Sequence, residues 1–276
     1  MRIGQDIDRR LLDAIKAEGL DTVAGAFAHT GGRTLAKPNL RHRRRVKLVL
    51  PSPAGKEYEL YMKLYGKERL IDRFRRWWTY GLGRSPAEIE FDNINAIRSA
   101  GIATMQAAIC GRQEDDSKET GSYLIVTAVP GSKLEQCAPG LMELSDEEPE
   151  MVSTFTTEIA GLTSKMHRAG YVHRDFYSSH LLLDQANGKM NLYLIDLARV
   201  FSPWFWRRGR WRVKDLAQLK YSAPLARWVQ KCWPTFMREY LGTDNKVLLW
   251  WWDVRINLKV ALMRLHNVRR ERKLGA

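Results

Sequence analysis

The chain has 276 residues, 45% of them hydrophobic, enough to bury a substantial core as one large domain or two small lobes. Three cysteines, odd in number and far apart at Cys110, Cys137 and Cys232, exclude a disulfide framework and CxxC metal knuckles. A formal charge of +14 calls for an anionic partner, which could be nucleic acid, an anionic membrane surface or a phosphorylated substrate.

Met1 to Leu20 is studded with Asp6, Asp8, Arg9, Arg10, Asp13 and Lys16, so it lacks the apolar run of a secretory signal and a cytoplasmic protein is expected. A short amphipathic helix is predicted around Ile7 to Ala17. The segments Thr22–Leu35, Arg43–Leu50 and Tyr58–Tyr65 then read as three strands, separated by Gly31-Gly32 and by Pro51-Ser52-Pro53-Ala54-Gly55. A helix follows with clear punctuation: Ser85 as cap, Pro86 in the first turn and Glu88 three residues after the serine, running to about Arg98 before Gly101. Two more strands fit Met105–Cys110 and Tyr123–Val126, and Pro130-Gly131 breaks the pattern.

Past that break, the acidic residues Asp146, Glu147, Glu148 and Glu150 suit the positive end of a long helix whose apolar face is Phe155, Ile159, Leu162 and Met166. A strand pair, Leu181–Leu183 and Leu192–Ile195, is joined across Asn187-Gly188, a strong hairpin signal. From Lys214 onward the pattern is helical. The late apolar stretch Val247–Leu265 is broken by Asp253, Arg255, Lys259 and Arg264 and cannot sit cheaply in hydrocarbon. A strand-rich front with one helix and a mostly helical rear are the blocks of a bilobal kinase. The expectation is an α+β, protein-kinase-like fold: a small N-lobe over 1–129 with a five-stranded sheet and one helix, and a larger, mainly helical C-lobe over 130–276.

The chemistry centres on Tyr171-Val-His-Arg-Asp-Phe-Tyr-Ser-Ser-His-Leu-Leu-Leu183, followed by Leu194-Ile-Asp-Leu-Ala198. Kinases place a catalytic Asp in an H-R-D loop after a long helix and a metal-holding Asp after the next hairpin. Asp175 and Asp196 stand 21 residues apart with one hairpin between them. A hydroxyl is a poor nucleophile, so a carboxylate at Asp175 would orient it and accept its proton. A hard cation held by Asp196 would spread the charge of the transferring phosphates. In the front half, Lys63 sits at a strand end among apolar residues, where it needs a partner. Glu90 shares a helix face with Ile94 and Ile97 and is the better partner than Glu88, which the cap employs.

These residues resemble the lipopolysaccharide kinases of the Kdo/WaaP type. The resemblance runs over about residues 20 to 225 and rests on Tyr61–Leu64, Ser85–Thr104, His173–Leu183, Ile195–Ala198 and Arg210–Leu216. It implies a kinase-like fold, ATP, Mg²⁺, and a core sugar such as heptose or Kdo as acceptor. Lys63 and Glu90 would serve the nucleotide, with a hinge near Thr127 to Val129 meeting adenine; Asp215 would brace the catalytic loop, and His173 would support it. Five residues after the catalytic Asp, where protein kinases carry an Asn ligand, stands His180. It either binds a metal, in which case its imidazole suits Mn²⁺ better than Mg²⁺, or hydrogen-bonds the loop. His29-Thr-Gly-Gly-Arg-Thr-Leu35 is either a plain hairpin turn or a phosphate contact.

Basic and aromatic residues cluster at Arg73–Trp78 and Pro203–Arg212. They suit either the headgroup layer of an anionic membrane, where a glycolipid acceptor would be held, or packing of the rear lobe; Trp250-Trp-Trp252 spans several helix faces and should be partly core. A peripheral position on the inner membrane follows from the first reading. No recognition module for nucleic acid accompanies the clusters, so nucleic acid is not expected as a partner. The same catalytic parts also serve small-molecule and protein kinases, and a silent kinase-like module is the alternative of another class.

Overall fold

The computed structural model describes residues 1–35, 43–51, 55, 57–115, 118–143, 149–186, 189–222 and 225–274. The chain divides into two compact units, Met1–Val129 and Pro130–Ala276.

Unit 1 is built on an antiparallel sheet in the order β1-β5-β6-β4-β3-β2. Its strands are β1 (Arg2–Ile3), β2 (Arg33–Thr34), β3 (Arg43–Pro51), β4 (Glu57–Tyr65), β5 (Ala107–Asp115) and β6 (Lys118–Thr127), six among the described residues where five were expected. Its helices among the described residues are α1 (Arg9–Ala17), α2 (Val23–Ala28), α3 (Leu70–Tyr80) and α4 (Pro86–Ser99); α1 and α4 match the helices expected around Ile7–Ala17 and from Ser85, and α2 and α3 were not expected. The segment read as a strand over Thr22–Leu35 is therefore a helix followed by a two-residue strand. Its local chemistry explains the difference. Thr22 Oγ1 accepts from the Gly25 amide at 3.0 Å and caps a run of small residues. A Cβ on Gly25 would stand 1.8 Å from the Gly19 carbonyl oxygen, so the close turn against the end of α1 requires glycine.

Strands β3 and β4 pair from Arg43↔Tyr65 to Pro51↔Glu57, which sets the two faces of the sheet. Val46, Leu48 and Leu50 with Leu60, Met62 and Leu64 face Leu11, Ile15 and Leu20 at the α1 side. The alternate residue Lys63 reaches α4 instead. Helix α4 keeps the predicted start: Ser85 Oγ accepts from the Glu88 amide at 3.1 Å, and Glu88 accepts from the Ser85 amide at 2.8 Å. That reciprocal cap fixes the helix register, with Ile89, Glu90, Phe91, Ile94 and Ile97 buried. Cys110 on β5 is fully buried, and burial pushes its thiol up to about 12.

Unit 2 holds β7 (Ser132–Lys133), α5 (Leu134–Glu143), α6 (Pro149–Arg168), β8 (Leu181–Asp184), β9 (Asn191–Leu194), α7 (Arg208–Tyr221), α8 (Ala226–Leu241) and α9 (Lys246–Leu274). Strands β8 and β9 pair from Leu181↔Leu194 to Asp184↔Asn191, with β7 added beside β8. The turn residues Asn187-Gly188, the acidic residues Asp146 to Glu148, and 52–54 of the front turn lie outside the described residues. Glu150 stands in the first turn of α6. Phe155, Ile159 and Met166 of α6 are fully buried, and Trp228 of α8 packs edge-on to Phe155 at 5.8 Å while its indole N–H donates to Thr156 at 3.0 Å. An aromatic column, Trp228, Trp233, Phe236 and Tyr240, continues along α8. On α9, Trp252, Ile256 and Val260 face inward at four-residue intervals, while Trp250 and Trp251 are exposed. Among the described residues, no helix is long and apolar enough to cross a membrane.

Candidate active site

In unit 1, the Lys63 ammonium pairs with Glu90 Oε1, and Glu90 is wholly buried. The second carboxylate oxygen, Oε2, accepts from the Tyr65 hydroxyl two residues along the same strand. Glu90 thus has a partner at each oxygen, as a buried carboxylate requires. Glu88 serves the cap and an ion pair to Arg112 at 3.3 Å, so its competition for Lys63 is removed by geometry. At the end of the unit, the Thr127 amide donates to the Gln106 carbonyl at 2.9 Å and its hydroxyl accepts from the Gln106 amide at 3.0 Å. The Ala128 amide donates to Glu59 O at 2.8 Å, and Val129 closes the unit. In the His29–Leu35 segment, Arg33 and Thr34 pair with Lys47 and Val46, and Gly32 has a φ of +83° with Lys47, Leu48 and Val46 against it. That glycine fits a tight backbone crossing, which is the hairpin reading of the segment.

In unit 2, the loop after α6 is held by one helix. Asp215 of α7, fully buried, accepts from the amides of His173 at 2.6 Å and Arg174 at 2.9 Å. Gln218 Oε1 accepts from the Phe176 amide at 3.1 Å, and Ser222 Oγ accepts from the Ser178 amide at 3.1 Å. These three side chains, at i, i+3 and i+7, satisfy four backbone donors of the loop. Arg174 sits at φ +70°, a left-handed conformation that this bracing maintains. A second line reaches Asp215 from behind: His167 Nε2 lies 3.3 Å from Asp215 Oδ2, and His167 Nδ1 lies 2.8 Å from the Tyr240 hydroxyl. The His173 ring is buried, donates from Nε2 to the Ile195 carbonyl at 3.1 Å, and is held neutral by burial, which lowers its pKa.

Asp175 projects from this loop with a quarter of its side chain exposed. Arg199 Nη1 donates to both of its oxygens, at 2.8 and 2.7 Å, and so orients the carboxylate. The Asp175 carbonyl accepts from His180 Nδ1 at 2.7 Å. A carbonyl can only accept, so Nδ1 carries a proton, and Nε2 points away from the loop. It faces Asp196 Oδ2 at 3.6 Å, beyond hydrogen-bonding reach. Asp196 itself is left-handed, with φ 60° and ψ 60°. Both readings of His180 therefore act through different ring atoms: Nδ1 holds the loop and Nε2 stands opposite a carboxylate. Ligands on one six-coordinate Mg²⁺ stand about 3 Å apart, so the pair is spaced for one cation after a small adjustment. Among the described residues no group of three or more His, Cys, Asp or Glu side chains gathers as a metal cage. A site of one carboxylate and one imidazole would leave the rest of a cation's shell to water and phosphate oxygens, and the imidazole suits Mn²⁺ better than Mg²⁺.

Sequence reasoning missed Arg199, Gln218, Ser222 and Lys214. Lys214 donates to the Arg174 carbonyl, and burial lowers its pKa to about 8, with Asp175 and Asp215 opposing the shift. The helical spacing of Asp215, Gln218 and Ser222 was an available signal; Arg199 gave none. The tryptophan-rich stretch divides. Trp211 packs edge-on to Phe201 at 5.2 Å and lies under the Arg174 guanidinium, whereas Trp204 and Trp206 stack on one another at 5.3 Å and are mostly exposed.

The family model for the lipopolysaccharide kinase (Kdo/WaaP) family matches residues 9–240. The lipopolysaccharide core heptose(I) kinase WaaP of Pseudomonas aeruginosa is 32% identical over 142 residues, which are 50% of this chain and 52% of that protein. The chain's match thus spans about half the length of that relative. The WaaP of Escherichia coli K12 is 27% identical over 192 residues, 67% of this chain and 69% of that protein. A solved structure of WaaP in complex with acyl carrier protein superposes with a TM-score of 0.64 at 24% identity, covering 94% of this chain and 99% of that one, which shows the kinase-like fold. With the H-R-D loop, its bracing helix and the second aspartate all inside the matched region, the chain belongs to the lipopolysaccharide kinase (Kdo/WaaP) family.

Proposed function

We propose that this protein transfers the terminal phosphate of ATP to a sugar hydroxyl, of heptose or Kdo, in a membrane-held lipopolysaccharide core or similar glycolipid. The observation that carries the reading is the pairing in unit 2 of a braced, solvent-reaching carboxylate at Asp175 with the His180–Asp196 pair. The heptose(I) kinase relatives support the acceptor class and favour heptose. Work at the cytoplasmic face, peripheral on the inner membrane, is part of the same proposal and is supported by the excess of basic residues.

In this mechanism Asp175 receives the acceptor hydroxyl. Each of its oxygens keeps a lone pair beyond the one used by Arg199, so the carboxylate can orient the O–H and take its proton as the new P–O bond forms. Rigid placement is the larger part of the task, because phosphoryl transfer depends mainly on alignment and charge. Asp215, Gln218 and Ser222 supply that rigidity through four backbone N–H groups. Asp196, with His180 beside it, would hold Mg²⁺, or Mn²⁺ in its place. Such an ion supplies charge neutralisation at the phosphates. Lys63, set by Glu90, is assigned to the nucleotide phosphates, and the backbone from Thr127 to Val129 to adenine. The acyl carrier protein bound by the structural neighbour is a second candidate partner for this chain.

The test is transfer from labelled ATP to defined heptose-bearing and Kdo-bearing core glycolipids, with mass spectrometry locating the phosphate. Asp175→Ala should lower the rate by roughly 10²–10⁴-fold while the protein stays folded. Transfer to neither glycolipid, or full turnover by Asp175→Ala, would overturn the proposal.

A further inference from the structure

Helix α3 has no buried residue, whereas α1, α2 and α4 of the same unit each bury at least one. Its sequence is nevertheless sharply two-faced. At 100° per residue, Leu70, Ile71, Phe74, Trp77 and Trp78 fall on one stripe about 120° wide. All five are exposed, at 81%, 58%, 55%, 42% and 78%. Phe74 packs edge-on to Trp77 at 5.3 Å and stacks on Trp78 at 6.5 Å, so the stripe forms one continuous aromatic surface. Beyond the helix, Leu82 adds a further exposed apolar side chain. A pattern of this kind ordinarily reports a core, and among the described residues no core uses it.

The borders of the stripe are basic. Arg73 lies along one side and Arg75 along the other. Arg76 lies on the opposite face and pairs with Glu68 at 2.8 Å. Residues 67–80 carry five cations against two carboxylates. An aromatic-rich stripe between arginines matches the layer where lipid phosphates meet acyl chains. An 11-residue helix is about 16 Å long, too short to furnish a standard protein interface alone but long enough to lie in a headgroup layer.

We propose that α3 is an interfacial helix that docks the protein on an anionic bilayer, with Leu70, Ile71, Phe74, Trp77 and Trp78 at the acyl boundary and Arg73 and Arg75 on lipid phosphates. This rests on the reading of the chain as a membrane-peripheral kinase and assigns the contact to one helix. It also removes Arg76 from the expected lipid-facing set, because that side chain points away from the stripe.

The experiment is flotation of the full chain with vesicles of phosphatidylcholine and of phosphatidylcholine mixed with phosphatidylglycerol. Transfer to a delipidated, soluble core acceptor is measured beside it. Each arginine at an anionic surface is worth roughly fivefold in partitioning, so Arg73→Gln/Arg75→Gln should bind mixed vesicles about 25-fold more weakly at low salt. Phe74→Glu/Trp78→Glu should lose flotation on both. Neither variant touches a core, so both should melt like the parent and keep activity on the soluble acceptor. If the parent floats and both variants float equally, the α3 assignment is overturned and the membrane reading stands. If the variants float normally but no longer capture acyl carrier protein, α3 is a protein-docking helix and the proposal is likewise overturned. A parent that fails to float while phosphorylating membrane-held acceptor overturns the lipid contact. A parent that floats through α3 but transfers no phosphate overturns the kinase reading alone.

Discussion

Replacing Asp215 with asparagine keeps the size of the side chain but removes one charge and one acceptor oxygen. The carboxylate accepts from two buried amides, at 2.6 and 2.9 Å, and meets His167 Nε2 at 3.3 Å. An amide side chain has one oxygen, so it can keep one of the two backbone donors and must turn its own N–H₂ toward the other. A hydrogen bond to a charged acceptor contributes about 1.5–3 kcal/mol, and stranding its buried donor places the cost of Asp215→Asn near 2–3 kcal/mol. That is a large share of a stability of about 5–15 kcal/mol. The left-handed Arg174 would relax first, and Asp175 is its neighbour; a displacement of about 1 Å at a reacting group costs about 10²-fold in rate. Urea denaturation followed by circular dichroism, alongside steady-state phosphate transfer, checks both numbers. A stability loss below about 1 kcal/mol together with unchanged kcat would refute the claim that α7 holds the catalytic loop in place.

Lys63→Met should cost about 3–5 kcal/mol because it leaves Glu90 charged and buried, and Lys63→Met/Glu90→Leu should recover most of that stability without recovering activity. Urea midpoints for the two single variants and the double decide this, and additive losses would show that the residues act separately. Asp196→Asn and His180→Ala should each weaken Mg²⁺-dependent nucleotide binding, read by calorimetry with and without the metal. Metal-dependent affinity unchanged in both variants would remove the pair from the site. Lys214 has a folded pKa of about 8 against an ordinary 10.5, so between those values the unfolded chain binds the proton more tightly. The contribution of Lys214 to stability therefore rises from pH 8 toward 10.5. The difference in stability between the parent and Lys214→Met should trace that rise, and a pH-independent difference would contradict it.

The parts that the sequence made legible are those with short-range grammar. The α4 start could be read because Ser85, Pro86 and Glu88 are neighbours, and the choice of Glu90 over Glu88 followed from one helix turn of spacing. Asp175 and Asp196 were visible because a hairpin of predictable length lies between them. What stayed hidden depends on chain segments meeting from afar. Arg199 reaches Asp175 across 24 residues, and Gln218 and Ser222 reach the loop across 42 and 44. No local pattern announces Arg199, and the helical spacing from Asp215 marks Gln218 and Ser222 as one face without naming the loop they meet. The misreading of Thr22–Leu35 has another cause: Thr22, Val23 and Phe27 favour strands, yet a single hydroxyl cap and a glycine pressed on Gly19 O decide for a helix. The basic-aromatic clusters were legible as composition only, since Trp204 and Trp211 differ in exposure rather than in sequence surroundings.

Cys110 offers a built-in clock. Only a thiolate attacks a thiol reagent, and at neutral pH a thiol held at about 12 in the sheet is both closed off and almost wholly protonated. Cys137 and Cys232, each half-buried in unit 2, should be modified first. Any later, slower uptake of label at Cys110 must wait for β5 to part from its neighbours. Its rate under native conditions therefore measures how often unit 1 opens, without a contribution from unit 2. Nucleotide bound at Lys63 should slow that clock and leave the other two thiols untouched.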